Sequence, residues 1–312
     1  MPTDSGLADL SNSLLLWAIL SYALAMTCYA IEYAFGATGA VATVIGRSKS
    51  ADRSPNWIPP LRRAAIAATA LGALCQIGSL AARGAAADRV PWGNMYEFIC
   101  VVCLVGVLSW LVASALRPQL RHLGVFLLLP VVLLLGLAGT VLYAEAAPLV
   151  PALNSVWLKI HVSAAATASG IFLFGFVCGV LYLIRQGYDT RISSGTPLRF
   201  PFTLGPRLPD ADGLERLTFR VHALAFPLWT FAVIAGAIWA EAAWTRYWGW
   251  DPKETWAFIS WVVYAAYLHA RATAGWRGKR AVYIVILGWA TMMVNLFVIN
   301  LVQTGLHSYS GV

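Results

Sequence analysis

Apolar residues run along the chain in eight long stretches separated by shorter polar segments. Each stretch is about 20 residues long, which is the length a helix needs to cross the hydrocarbon core of a bilayer. The pattern therefore predicts an all-α fold, a polytopic membrane helix bundle with about eight transmembrane helices, in one integral-membrane domain over residues 1–312. The predicted spans are 14–35, 64–82, 97–116, 123–143, 158–184, 222–240, 255–272 and 281–303.

The composition supports this prediction. Hydrophobic residues make up 59% of the chain and charged residues 12%, and the mean hydropathy is +0.69. One soluble core of this size would not hide so much apolar surface. The net charge of +8 could suggest nucleic acid, but the Lys and Arg residues lie in short loops rather than on one solvated face. We therefore expect the lipid bilayer, and not nucleic acid, as a partner of the chain.

The basic residues divide unequally between the two sets of loops. Seventeen of the 22 Lys and Arg residues lie in loops on one side, and five lie on the other. Because Lys and Arg are retained on the cytoplasmic side, this bias places both termini, segment 91–98 and segment 241–254 outside. The longest loop, 185–221, is predicted to be a cytoplasmic linker that leads into a short amphipathic helix at the membrane surface.

All five cysteines lie within apolar stretches, so a disulfide framework is not expected. Cys100 and Cys103 form a C-x-x-C pair in the third span. Such pairs can be redox-active when exposed, but apolar surroundings disfavour the thiolate, and packing is the favoured interpretation. The chain has no C-x-x-C-H motif, which excludes that it is itself a c-type cytochrome.

The segment between the sixth and seventh spans is rich in tryptophan. It reads WAEAAWTRYWGWDPKETW and contains five tryptophans within eighteen residues: Trp239, Trp244, Trp248, Trp250 and Trp256. Tryptophans at span ends often only anchor the interface, and this alternative stays open for Trp239 and Trp256. The three between them, beside Asp251 and Glu254, indicate a binding strip for a large, flat, hydrophobic ligand such as a porphyrin.

This segment resembles the WWD signature of a family of haem-handling membrane proteins, whose pattern is W-G-x-x-W-x-W-D-x-x-E. Five residues match it: Trp244, Trp248, Trp250, Asp251 and Glu254. Thr245 stands where the family usually has Gly, which slightly restricts the backbone without removing an implied haem contact. The span count and the motif PWGNMYEF at 91–98 resemble the CcsA/ResC proteins, also named CcsB, of system II cytochrome c biogenesis. The similarity extends from about residue 64 to the C-terminus.

Two histidines are candidate haem ligands on the side of the tryptophan segment. His161 begins the fifth span and His307 follows the eighth. Haem iron takes imidazole ligands, and a histidine at a membrane span is costly enough to be a functional candidate. Each could instead be an interfacial histidine in headgroup water. The resemblance implies that both are axial ligands of an external haem.

A third histidine, His269, lies fifteen residues beyond Glu254 in the seventh span, about 22 Å further along the helix. This place near the cytoplasmic rim is compatible with a histidine stabilised by the helix C-terminus and Arg271. The resemblance instead implies that His269 binds haem at an inner site, with the second ligand from a partner of the CcsB/ResB type. His222 and His122 are interpreted as structural or surface residues.

The resemblance also implies a function. Trp239 and the segment that contains Glu97 would help to form the external haem cavity, and Glu97 is taken as a candidate contact. The chain would be the haem-handling membrane subunit of a system II cytochrome c synthase, a holocytochrome c synthase-type haem lyase. It would conduct haem b, its transported substrate, to the outer or luminal face and present it to the C-x-x-C-H motif of apocytochrome c.

The implied partners are the CcsB/ResB-type membrane protein, apocytochrome c and a thioredoxin-like thiol reductase, in a bacterial plasma membrane or a thylakoid-type membrane. One alternative is a CcmC-like haem-delivery protein, against which the eight spans and PWGNMYEF argue. Another is a transporter of a different aromatic or anionic solute. The sequence contains no phosphate-cradling loop, Ser/His/Asp arrangement or paired-carboxylate site. No residue is expected to act as a general acid or base.

Overall fold

In a computed structural model of the chain, the residues described are 4–35, 56–148 and 155–302. Within these ranges the α-helices are α1 (Ser5–Phe35), α2 (Ile58–Ala86), α3 (Met95–Leu116), α4 (Gly124–Thr140), α5 (Val156–Ser193), α6 (Ala211–Trp244), α7 (Pro252–Ala272), α8 (Lys279–Met293) and α9 (Ile299–Val302). Two short 3₁₀-helices cover Pro118–Leu123 and Phe202–Arg207, and a π-helix, Val294–Val298, joins α8 to α9. These ranges contain no strand, which confirms the predicted all-α class.

Seven helical segments of the described ranges are long and apolar enough to cross a membrane. They correspond to seven of the eight predicted spans, and the chain is an integral membrane protein. Helix α7 forms at the remaining predicted span and has 21 residues. Its polar and aromatic side chains lower its hydropathy, so it is not one of the seven helices that are apolar enough to cross a membrane. The total of eight spans, and the side of the membrane on which each terminus lies, remain predictions.

Large apolar side chains cover much of the outward surface of the bundle. Leu16, Trp17 and Leu24 on α1, Leu74 on α2 and Leu133 on α4 are all exposed. In water such a surface would be costly, but lipid tails solvate it, and each helix satisfies its own backbone hydrogen bonds. The exposed apolar faces therefore agree with a membrane environment.

Helix α5 lies at the centre of the bundle, where it packs against α3, α6 and α8. Gly170 allows the close approach to α3, because a Cβ atom there would lie 2.6 Å from the carbonyl oxygen of Val102. A buried polar chain joins α1, α2 and α3: the Tyr22 hydroxyl donates to Gln76 Oε1 at 2.7 Å, and Gln76 Nε2 donates to the Cys100 carbonyl at 2.8 Å. Small residues and satisfied polar groups thus align the bundle.

The five cysteines are unpaired, and Cys100 and Cys103 are buried in the core. The Cys103 thiol faces the Val131 carbonyl on α4, 4.0 Å away. This environment agrees with the interpretation of the pair as packing residues.

The helices extend beyond the predicted spans, most clearly around the loop predicted at 185–221. Helix α5 continues to Ser193 and α6 begins at Ala211, so the predicted short amphipathic helix is the first part of α6 rather than a separate element. The Asp210 side chain starts α6 by accepting a hydrogen bond from the Gly213 backbone N–H at 2.7 Å. Hydropathy marks only the part of a helix that lies in hydrocarbon, and capping decides where the helix begins.

Candidate functional site

A cavity of about 200 Å³ opens at the end of the bundle where α5 begins and α6 ends. Its walls come from segment 92–94, α3, α5, α6, the loop between α6 and α7, α7, α8, the π-helix and α9. Most of the lining is apolar, with a few polar groups, as is typical of sites for small molecules and cofactors. The tryptophans that line it are Trp92, Trp229, Trp239, Trp248 and Trp289.

His161 lies in this wall and is held in a defined orientation. Its Nδ1 is 2.7 Å from the carbonyl oxygen of Ala232 on α6. Because a carbonyl oxygen only accepts, Nδ1 carries the proton in the neutral ring and the lone pair is at Nε2. The imidazole stacks on Trp239, with ring centroids 6.2 Å apart and an interplanar angle of 11°. This is how proteins prepare a histidine to bind a metal through Nε2.

The predicted tryptophans do not all reach the cavity. Trp239 and Trp248 line it, and Trp244 packs edge-on against Trp239 with ring centroids 4.8 Å apart. Trp250 is 63% exposed and packs edge-on against Trp248 at 5.7 Å. The strip therefore consists of an inner pair of indoles on the cavity and outer indoles that support them.

Asp251 and Glu254 also have a structural task. They form a capping box at the start of α7, with Pro252 at the first helical position. Glu254 Oε2 also accepts from the Gly249 N–H at 2.8 Å. Glu254 lines the cavity and Asp251 does not. The order D-P-x-E was the available signal, since it is a helix-start pattern in its own right.

The departure from the family pattern, Thr245, falls at the C-cap of α6. Its φ is +57°, in the left-handed region, and its N–H donates to the Glu241 carbonyl at 2.8 Å. A β-branched residue is strained in this conformation and glycine is not. The position thus has a backbone reason to favour the Gly of the WWD pattern.

Replacing Thr245 by Gly is expected to stabilise the protein by about 0.5–1 kcal/mol, because relief of left-handed strain, about 1–2 kcal/mol, exceeds the added backbone entropy cost. Thermal unfolding in detergent measures the change. Thr273, at the C-cap of α7, is the matched control, since its φ is −106° and glycine there should lower the midpoint. Equal losses in the two variants would contradict the strain at Thr245.

Glu97 does not reach the cavity. Its carboxylate is fully buried and accepts hydrogen bonds from Arg83 Nε at 2.8 Å, from Arg89 Nη1 at 2.7 Å and from the Gly93 N–H at 2.7 Å. Gly93 and Asn94 do line the cavity. Glu97 therefore positions this part of the wall from behind, and its role as a haem contact stays a prediction.

The other histidines lie away from the cavity. His269 is exposed near the end of α7 opposite to the cavity, with Nε2 3.3 Å from the Thr273 hydroxyl. His222 is fully buried among Phe172, Tyr264 and Tyr267, which agrees with its interpretation as structural. His307 lies outside the described residues.

Two cavity residues have no predicted role in the ligand site. Lys253 is one of the five basic residues on the outer side, and Asn295 lies within the eighth predicted span. The structure brings them together: Lys253 Nζ donates to the Asn295 carbonyl oxygen at 3.2 Å, within the π-helix. A π-turn has no clear sequence pattern, but π-turns are frequent at functional sites.

The part of the chain that forms the cavity is similar to known proteins. Residues 92–307 match the family described as Cytochrome C assembly protein, and every cavity-lining residue falls within this range. The chain is 32% identical over 298 residues to the cytochrome c biogenesis protein CcsA of Gloeobacter violaceus, covering 81% of this chain and 88% of that protein. It is 36% identical over 280 residues to CcsA of Synechococcus elongatus, covering 78% and 86%.

Among solved structures, cytochrome c heme lyase CcmF has the same fold, with a TM-score of 0.64 at 18% identity. The superposition covers 93% of this chain and 46% of the CcmF chain, so this chain spans less than half the length of that protein. The family match and the CcsA similarities over most of the chain lead to one conclusion: the chain belongs to the cytochrome c assembly protein family and, within it, to the CcsA proteins.

Proposed function

We propose that the cavity binds haem and presents it for covalent attachment to apocytochrome c, with the chain acting as the haem-handling subunit of a system II synthase. One observation carries this proposal. In an apolar, tryptophan-lined cavity, His161 is stacked on Trp239 and donates Nδ1–H to Ala232, which leaves the lone pair at Nε2, the arrangement that suits axial ligation of haem iron. Membership of a cytochrome c assembly family supports the same role.

The lining suits a porphyrin in other respects. Its flat apolar surfaces match the faces of a macrocycle, which prefers indole rings to water. The indole N–H groups of Trp92 and Trp229 are buried at the cavity and, among the residues described, have no hydrogen-bond partner. A ligand with acceptor atoms at its edge would satisfy them, since buried donors are costly to leave unpaired.

The proposed reaction adds the thiol of each C-x-x-C-H cysteine across a haem vinyl group. Each sulfur bonds to one vinyl carbon and the thiol hydrogen ends on the other, so no group leaves and no net oxidation occurs. The chain contributes by orienting the vinyl groups and excluding water, which makes the encounter effectively intramolecular. No side chain of this chain needs to act as a general acid or base.

A second axial ligand completes the proposed external site. We assign it to His307, on the resemblance to the WWD proteins. We assign His269 to an inner haem site, because its exposure near the far end of α7 leaves it accessible to a ligand or to a second protein. A partner of the CcsB/ResB type would then supply the other inner ligand. Haem would pass from the His269 end of the bundle to the cavity end.

The proposed location follows from the charge bias of the loops. The cavity lies at the end that carries few basic residues, which is the outer or luminal face if Lys and Arg stay in the cytoplasm. The apocytochrome would meet the chain there, after a thioredoxin-like protein has reduced its thiols.

The visible reduced-minus-oxidised spectrum of the detergent-purified protein, alone and with its partner, tests the proposal. Wild-type protein should show low-spin haem, and His161→Ala and His307→Ala should each lose or alter it. His122→Ala is a control on a half-buried histidine outside the cavity. A spectrum unchanged by both ligand substitutions would refute the ligand pair, and a haem-free wild-type complex would favour transport of another solute. Intact cytochrome attachment in a strain lacking the chain would likewise favour transport of another solute.

A further inference from the structure

The polar corner of the cavity is built around one lysine. Among the residues described, Lys253 is the only lysine or arginine that lines the cavity. It is the second residue of α7, where the capping box formed by Asp251 and Glu254 fixes the backbone. Its position is therefore set by a rigid helix start rather than by a flexible loop.

Lys253 is half-buried and only partly paired. Among the described residues, its Nζ donates one hydrogen bond, to the Asn295 carbonyl at 3.2 Å, and takes part in no salt bridge. An ammonium group carries three donors. Burial lowers the pKa of Lys253 to about 7, against the opposing effect of the Asp251 charge. A carboxylate arriving in the cavity would stabilise the charged form.

Among the residues described, Glu254 supplies the one carboxylate of the lining. Its Oε2 accepts from the Gly249 and Asp251 N–H groups at 2.8 and 3.1 Å and lies 3.9 Å from Arg246 Nη1. Its Oε1 is buried and has no hydrogen-bond partner among these residues. Lys253 thus keeps donor capacity for a ligand.

We propose that Lys253, supported by the Asn295 carbonyl, recognises a carboxylate of the ligand and so sets which edge of the macrocycle enters the cavity. This inference rests on the proposed haem function and names the anchor for a haem propionate. The consequence is orientation: with one propionate at Lys253, the opposite edge of the haem, which bears the vinyl groups, points away from this corner. A charged hydrogen bond in a desolvated site is strong enough to select one orientation.

Titration of the haem-depleted full chain in lipid nanodiscs tests the proposal, with haem and its dimethyl ester, in which both propionates are esterified, as probes. Wild-type protein should bind haem about tenfold more tightly than the ester, as expected for one charge-assisted hydrogen bond. Lys253→Met should bring the two affinities together by weakening haem alone. Lys253→Arg should keep most of the preference. Lys159→Met, at an outer-end lysine that does not line the cavity, should behave as wild type.

The outcomes separate this inference from the function on which it rests. Equal wild-type affinities for haem and ester, or a tenfold preference retained in Lys253→Met, would overturn the carboxylate site while leaving haem binding intact. A wild-type protein that binds neither compound would overturn the proposed haem function and the anchor with it. A His161→Ala variant should weaken both probes alike, because iron ligation does not depend on the propionates.

Discussion

Replacing Glu97 by alanine is expected to destabilise the folded protein by about 3–5 kcal/mol, because it leaves buried arginine charge without its counter-ion. The side chains of Arg83 and Arg89 are 2% and 8% exposed, and both pair with this one carboxylate. Arg83 also donates to the Ala144 carbonyl, and Arg89 Nε donates to the Ala147 carbonyl at 2.8 Å. Loss of Glu97 would therefore loosen several segments together.

Unfolding by sodium dodecyl sulfate in mixed micelles measures this loss. Glu32→Ala is the matched control, because Glu32 is also buried but its partner Arg62 is 45% exposed and can be solvated when the pair is broken. We expect the control to lose far less stability. Comparable losses in the two variants would show that the Glu97 network is not a special element of the fold.

Replacing Gly236 by alanine is expected to weaken haem binding about 10- to 100-fold, the usual cost of disturbing a group that orients a metal ligand. A Cβ atom at this position would lie 2.7 Å from both Cε1 and Nδ1 of His161. The ring would have to move, and its hydrogen bond to the Ala232 carbonyl and its stacking on Trp239 would be lost. All ligand atoms of His161 would still be present, so the variant tests how the cavity wall holds the ring rather than whether the ring is there.

Haem titration and the reduced-minus-oxidised spectrum measure this effect. Gly139→Ala on α4 is the control, because a Cβ atom there would have no heavy atom within 4 Å, and alanine only improves helix propensity. Haem affinity should be unchanged in the control. A Gly236→Ala protein with wild-type affinity would argue against the His161 orientation described above.

Much of the fold could be predicted from local patterns. Stretches of about 20 apolar residues predict membrane helices because hydrocarbon admits few other backbone structures. The family could be identified from the WWD segment because its tryptophans and acidic residues lie close together in the chain. His161 could be proposed as a haem ligand because a histidine at the edge of a span costs free energy, which makes it a candidate functional residue.

Other features depended on contacts between distant segments. Glu97 is a candidate haem contact on the resemblance, and the structure adds that its carboxylate pairs with Arg83 and Arg89, which local spacing does not reveal. Asp251 and Glu254 were interpreted as contacts because the family motif contains them, and the structure adds their capping of α7. Lys253 and Asn295 are 42 residues apart, so their meeting at the cavity could not be read from either segment alone.

Hydropathy and short motifs act over neighbouring residues, and they are sufficient to predict the all-α membrane architecture, the family and the segment that carries the candidate site. Which tryptophans line the cavity, how α6 orients His161 and which charges are paired can be known only from the folded chain. Burial, ion pairing and hydrogen bonding to a carbonyl of another helix depend on how the helices pack, and packing joins residues far apart in the chain.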